Sequence, residues 1–325
     1  MKLLKKILLG TVAATFAVGS AAAAEKWDMP MAYSATNFHS EMGVVFANKV
    51  RDYTKGELDI TVHPGGSLFK GGEIKRAIQT GQVNIGERFM AAHANEIPLL
   101  GWDNLPFVAT TYADNDKLWA VAKGPVTKKL EALNLVTLYT CPWPGQGFYF
   151  KKEVKSSADT KGIKFRSYNT ATATFAEALG MVPVQVEAAE LSQALATGVA
   201  EAFISSGSTG YDRKVWEHLT HYYKVNAWLP RNYVMVNKTA WEGLDDATRA
   251  ALTKAGDETG AACAAKSAEL ANWYFEQLEK NGMTVTDAGP EFLKELQAIG
   301  ATMQATWLKD TGAEGKAILD AYNAK

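Results

Sequence analysis

A strand–helix alternation that occurs twice along the chain constrains its fold more than any other feature. Residues 26–32 read as a first strand. Between 39 and 53, Met42, Val45, Phe46, Val50 and Tyr53 recur at helical offsets, and Lys55-Gly56 supplies a basic last turn and a stop. Leu58, Ile60 and Val62 then alternate with Asp59, Thr61 and His63, the period of a half-buried strand. After Pro64-Gly65-Gly66, a short helix turns Ile74, Ala77 and Ile78 inward and stops at Gly81, and 83–85 form a third strand. The order β-α-β-α-β is that of a parallel sheet flanked by helices.

The same grammar returns further on. Strands are expected at 135–139, 147–150, 162–166, 182–186 and 199–204, with helices at 171–179 and 188–196 that stop at Gly180 and Gly198. Pro142-Trp143-Pro144-Gly145 marks the crossing between the two units, and 233–236 form a strand that rejoins the first. Asp245 caps a long helix reaching about Glu279, roughly 50 Å at ~1.5 Å per residue, which Asn281-Gly282 ends. The rest reads as helical, with Phe292, Leu296, Met303, Trp307 and Ile318 as packing residues.

Before this α/β body stand 24 residues of another kind. Lys2, Lys5 and Lys6 precede an apolar run over 7–18, and Ala22-Ala23-Ala24 fits a small-residue cleavage site before Glu25. The run is shorter than a membrane span needs. Residues 1–24 are therefore expected to be a cleaved signal peptide, and the mature protein to be exported to the periplasm. Its loss takes the three lysines and moves the net charge from −1 to −4. The near-neutral balance, with no basic excess, argues against a nucleic-acid partner. The two cysteines, Cys141 and Cys263, lie 122 positions apart, the second in an Ala-rich helix. Two buried free thiols are the plainer reading, although an oxidising compartment leaves a bridge open.

Catalytic signatures are not found. Ser206-Gly207-Ser208-Thr209-Gly210 lacks the frame of a nucleophile elbow. Gly145-Gln146-Gly147 leads into a strand, and no phosphate-binding loop occurs. His218 and His221 share a helical face without a third ligand, so no metal is expected. An exported two-lobed α/β protein of this kind suits solute binding, with lobes that close on a ligand.

The chain resembles the extracytoplasmic solute receptors of tripartite ATP-independent periplasmic (TRAP) transporters. The likeness is carried by Thr54-Lys55-Gly56, Val62-His63-Pro64-Gly65-Gly66, Gly81-Gln82-Val83-Asn84 and Leu105-Pro106-Phe107. It continues through Lys161-Gly162-Ile163-Lys164-Phe165-Arg166, Ala178-Leu179-Gly180-Met181-Val182-Pro183-Val184, the stretch 190–199, and Asn232-Tyr233-Val234-Met235-Val236-Asn237 with Trp241. It implies a type II-like periplasmic binding fold with hinge strands and a long helix spanning both lobes. Lobe I is expected over 25–145 plus 231–270, and lobe II over 146–230 plus 271–325.

Arg166 closes a strand and precedes a helix, the end of an open α/β sheet where ligands bind. The resemblance implies that its guanidinium holds the ligand carboxylate, for which its planar fork is suited. About twenty residues upstream, where the family often offers a second polar group, stands Gln146 and not an arginine, so a doubly anionic ligand is disfavoured. Ser205 and Ser206 stand where the family often has an Asn, and Asn232 begins the returning strand. Glu87 and Arg88 follow one expected strand and Asn37 another. The aromatic candidates are Phe38, Trp143, Phe148, Tyr149, Tyr168 and Tyr211, whose apolar walls would suit a hydrophobic or aromatic monocarboxylate.

The expected function is binding without chemistry or cofactor. A monomer closes on a small organic acid and, by resemblance, docks on the small and large TRAP membrane subunits for ion-driven uptake. A sugar acid is the rival ligand, and a periplasmic hydrolase using Ser205 or Ser206 the rival of another class.

Overall fold

A computed structural model describes residues 24–324 of the chain. The expected signal peptide, apart from Ala24, lies outside the described residues. Among those described, no helix is long and apolar enough to cross a membrane.

In chain order the first part contains β1 (Glu25–Pro30), α1 (Phe38–Tyr53), β2 (Leu58–His63), α2 (Gly71–Gln79), β3 (Ile85–Phe89), α3 (Tyr112–Glu131) and β4 (Leu135–Pro142). The second holds β5 (Gly147–Phe150), β6 (Lys164–Ser167), α4 (Thr170–Ala178), β7 (Val182–Gln185), α5 (Leu191–Ala196), β8 (Ala202–Ser205), α6 (Gly207–Asp212) and β9 (His221–Lys224). The chain then returns through β10 (Arg231–Asn237) and α7 (Lys238–Gly243), and ends with α8 (Asp246–Lys280), β11 (Thr284–Asp287) and α9 (Pro290–Asn323).

One lobe has a parallel pair, β1–β2, beside an antiparallel sheet in the order β3-β10-β4. The other has six strands in the order β11-β9-β5-β8-β6-β7. Here β8, β6 and β7 run parallel, and β5 is antiparallel to both of its neighbours. Strand alternation gives the larger sheet a core on each face. Phe148, Phe150, Phe165 and Ile204 pack on one side with Phe292 and Leu296, and Tyr149, Phe203 and Tyr222 on the other with Leu195 and Leu278.

Two connections cross between the sheets, after β4 and after β9, and they pair with each other. Trp143 N donates to Pro230 O at 2.8 Å, Gln146 N to Trp228 O at 3.0 Å, and Ala227 N to Gln146 O at 3.0 Å. This double-stranded crossing is the hinge-strand feature of the fold. Gly147 is required within it, since a Cβ there would lie 2.3 Å from the Tyr223 carbonyl oxygen. Alongside runs α8, 35 residues long, packed against α1 and β4 at one end and α6 and β11 at the other. Asp245 caps it by accepting from Thr248 N at 2.7 Å.

Several details differ from expectation. The third strand is 85–89 and pairs antiparallel with β10, so Glu87 and Arg88 lie on the strand and not after it. His221 belongs to β9, which ends any shared helical face with His218. Strand β11 interrupts the C-terminal helical run, where its pairing with β9 outweighs the short length of the apolar pattern. Cys141 and Cys263 form a disulfide with Cα atoms 5.6 Å apart, not two free thiols. The packing of β4 along α8 brings the two cysteines together, and sequence separation does not register it. Helix α9 serves both lobes. Phe292 and Leu296 join the core of the six-stranded sheet, whereas Trp307, Ile318 and Tyr322 pack with Trp102, Leu118 and Met235 of the other.

Candidate functional site

The parallel strands β6, β7 and β8 end at one edge of the larger sheet, facing the ends of β1 and β3 across the cleft. The cavity between them is lined by Tyr33, Arg88, Phe89, Trp143, Gln146, Arg166, Tyr168, Glu187, Ala188, Ser205, Thr209 and Pro230. It encloses about 490 Å³ of atom-free space, its open mouth included. A cleft at the carboxyl ends of strands is where open α/β sheets bind ligands.

Arg166 lies in β6, 2% exposed. Its Nε donates to the Val186 carbonyl at 2.8 Å, and its guanidinium sits 5.2 Å from the centre of the Tyr168 ring. No carboxylate among the described residues pairs with it. Burial lowers its pKa to about 10, so it stays a cation at neutral pH. A buried guanidinium held by one nitrogen, with two terminal nitrogens free of protein partners, is arranged to receive a carboxylate.

The walls around it are held by their own hydrogen bonds. Gln146 Nε2 donates to Pro144 O at 2.9 Å, and its Oε1 accepts from the Tyr168 hydroxyl at 3.2 Å. That hydroxyl in turn accepts from Trp228 Nε1 at 3.1 Å. Trp143 Nε1 donates to Asn232 Oδ1 at 2.8 Å, and the ring packs edge-on to Tyr33 with centroids 4.7 Å apart. Ser205 Oγ donates to Thr209 Oγ1 at 2.8 Å. Burial pushes the Tyr33 and Tyr168 hydroxyls well above the usual tyrosine range, which keeps both neutral.

The structure thus gathers Arg166, Arg88, Trp143, Gln146, Tyr168 and Ser205 around one space, and it sets the other sequence candidates apart from it. Asn37 caps α1 by accepting from His39 N, and its Nδ2 donates to Ser208 and Asp212. Phe38 packs with Trp143 against the disulfide. Strand alternation puts Phe148 and Tyr149 into the two cores. Tyr211 packs on Trp216, Trp273 and Tyr274. Glu87 points to the opposite face of β3, where His39 Nδ1 lies 2.8 Å from its Oε1. Asn232 stands behind Trp143 and beside the Tyr33 hydroxyl. Ser206 is fully buried, its carbonyl accepting from the Tyr149 hydroxyl. Neither Ser205 nor Ser206 hydrogen-bonds a histidine among the described residues.

Sequence reading missed Tyr33, Phe89, Glu187, Thr209 and Pro230. The strand-end rule that singled out Arg166 applies equally to Tyr33 after β1 and Glu187 after β7, since β7 pairs with β6 with Val184 opposite Arg166. Pro230 and Phe89 carry no chemical signal of their own.

Comparison with known proteins identifies the family. Residues 31–310 match the family described as bacterial extracellular solute-binding protein, family 7. The chain is similar to a marine metagenome TRAP solute-binding protein specific for pyroglutamate, solved with co-purified pyroglutamate. The two are 79% identical, with 93% of this chain and 99% of that one covered at a TM-score of 0.92. DctP6 of Bordetella pertussis, an extracytoplasmic receptor binding pyroglutamic acid, is 44% identical over 92% of this chain and all of its own, at a TM-score of 0.91. The C4-dicarboxylate-binding periplasmic protein DctP of Rhodobacter capsulatus is 29% identical over 266 residues, 78% of this chain and 75% of that protein. With the two-lobed fold and the cleft arginine, these matches place the chain in the DctP family of TRAP-transporter solute-binding proteins, periplasmic receptors that bind and do not catalyse.

Proposed function

We propose that the protein captures a small cyclic monocarboxylate, with pyroglutamate the first candidate, and presents it to TRAP membrane subunits. The observation that carries this reading is Arg166, a buried cation without an acidic partner among the described residues. One carboxylate would complete it. Gln146, Tyr168, Ser205 and the Trp143 ring would frame the rest of the ligand. Arg88, Gln146, Arg166, Glu187, Ser205 and Thr209 give the lining more hydrogen-bonding groups than a hydrophobic or aromatic acid calls for. Four of the six aromatics expected there pack elsewhere, which argues for a compact ligand with its own hydrogen-bonding groups. The pyroglutamate bound by the 79% identical relative fits that description.

In this mechanism the solute enters between open lobes and its carboxylate meets Arg166 on the six-stranded sheet. Tyr33, Arg88 and Trp143 then close over it from the other side. Closure is favoured because ligand touches both walls, since a ligand shifts an equilibrium only by its differential affinity. We place lobe I at 25–145 plus 231–270 and lobe II at 146–230 plus 271–325, with the end of α9 reaching back onto lobe I.

Calorimetry with pyroglutamate, proline, lactate, benzoate and glucuronate tests the ligand. Native mass spectrometry of freshly purified protein reports what it carries and whether it is a monomer. Tight binding of benzoate or glucuronate with none of pyroglutamate would reject the assignment.

A further inference from the structure

We infer that Glu187 sets the charge selectivity of the cavity, matching it to a monoanion and excluding a dianion; the inference rests on the receptor reading above. Two guanidinium groups line the space, Arg166 and Arg88. Left alone, they would suit a dicarboxylate. Arg88, however, donates from Nη2 to Glu187 Oε1 at 3.4 Å. The arginine side chain is 5% exposed and the glutamate 37%. Glu187 follows β7 on the larger sheet and Arg88 lies on β3 in the other, so the pair spans the cleft.

Gly71, the first residue of α2, makes room for this pair. A Cβ there would lie 2.9 Å from both Arg88 Nη1 and Glu187 Oε2, and one on Gly72 would lie 3.4 Å from Glu187 Oε1. Of the other charges nearby, Arg213 does not line the cavity, and Glu87 is turned to the far face of β3 against His39. Glu187 is the one carboxylate among the described residues that lines the cavity.

A monoanion on Arg166 therefore leaves the Arg88–Glu187 pair intact. The second carboxylate of a dianion would reach Arg88 only by displacing Glu187 or facing its like charge, and such juxtaposition is how interfaces reject wrong partners. Removing the Glu187 charge frees Arg88 for that second carboxylate.

The test is calorimetry of the wild type, Glu187→Gln and Glu187→Asp against pyroglutamate and glutarate, a five-carbon dianion. The expected result is that the preference for pyroglutamate over glutarate falls about tenfold or more in Glu187→Gln and stays within about threefold of the wild type in Glu187→Asp. An unchanged ratio in Glu187→Gln overturns the inference. So does an equal loss of both ligands, which would make Glu187 a closure contact alone. Failure of pyroglutamate with binding of another monocarboxylate overturns the ligand assignment instead, and the ratio is then read with that acid.

Discussion

Arg166 offers the sharpest test of the binding geometry. Of its five N–H groups, the one on Nε is taken by the Val186 carbonyl, and the terminal nitrogens have no protein acceptor among the described residues. A carboxylate approaching that fork makes two parallel charge-assisted bonds, each worth about 1.5–3 kcal/mol. Truncation in Arg166→Ala should remove about 3–6 kcal/mol of binding, a loss of roughly a hundred- to ten-thousand-fold. Arg166→Lys keeps a charge but loses the fork, and should fall between the two. The ligand-free fold should scarcely notice, because the wild-type guanidinium is a buried cation with no ionic partner, and its loss gives up one bond to a carbonyl and one cation–π contact. Calorimetry measures the affinities, and urea unfolding of the ligand-free proteins checks the fold. Binding of Arg166→Ala within tenfold of the wild type, or a large fall in ligand-free stability, would refute the reasoning.

Other expectations follow from the same structure. Replacing Cys141 and Cys263 by Ser releases a loop of 122 residues, for which chain entropy gives up to about 4.9 kcal/mol, read from urea unfolding. Gly147→Ala should break the β5–β9 register through contact with the Tyr223 carbonyl, and appear as a lowered Tm together with weakened ligand binding. Asp103 gives a pH signature. Burial raises its pKa from 3.8 to about 7 against hydrogen bonds from Arg231 N and Asn104 Nδ2. Folded Asp103 thus keeps its proton where the unfolded carboxyl has lost it. Its stabilising contribution is complete below about pH 4 and is lost as pH rises to about 7. The Tm of the wild type minus that of Asp103→Asn should fall across that window, and a flat difference would show that Asp103 does not titrate there.

The strand ends illustrate how much of the site the sequence carries. Lys164–Ser167 reads as a strand because hydrophobic alternation and the Gly162 turn are local, and a strand end before a helix is itself a local event. Arg166 was legible on those grounds. Phe148 was not, because the face a side chain takes depends on the register of β5 between β8 and β9, which no local pattern states. The place of Asn37 is hidden for a related reason. Its residue type suits either a ligand contact or a helix cap, and the position of α1 decides for the cap.

Taken alone, the order of amino acids determined the alternating α/β grammar, the crossing at Pro142–Gly147 and the cation on β6. These are properties of period, turn chemistry and residue type over a few neighbours. Tertiary structure alone decided the Cys141–Cys263 bridge, the antiparallel place of β3 beside β10, and the meeting of Arg88 with Glu187 across the cleft. Each joins segments far apart in the chain, and such contacts are fixed by how sheets and helices pack, which local sequence does not encode.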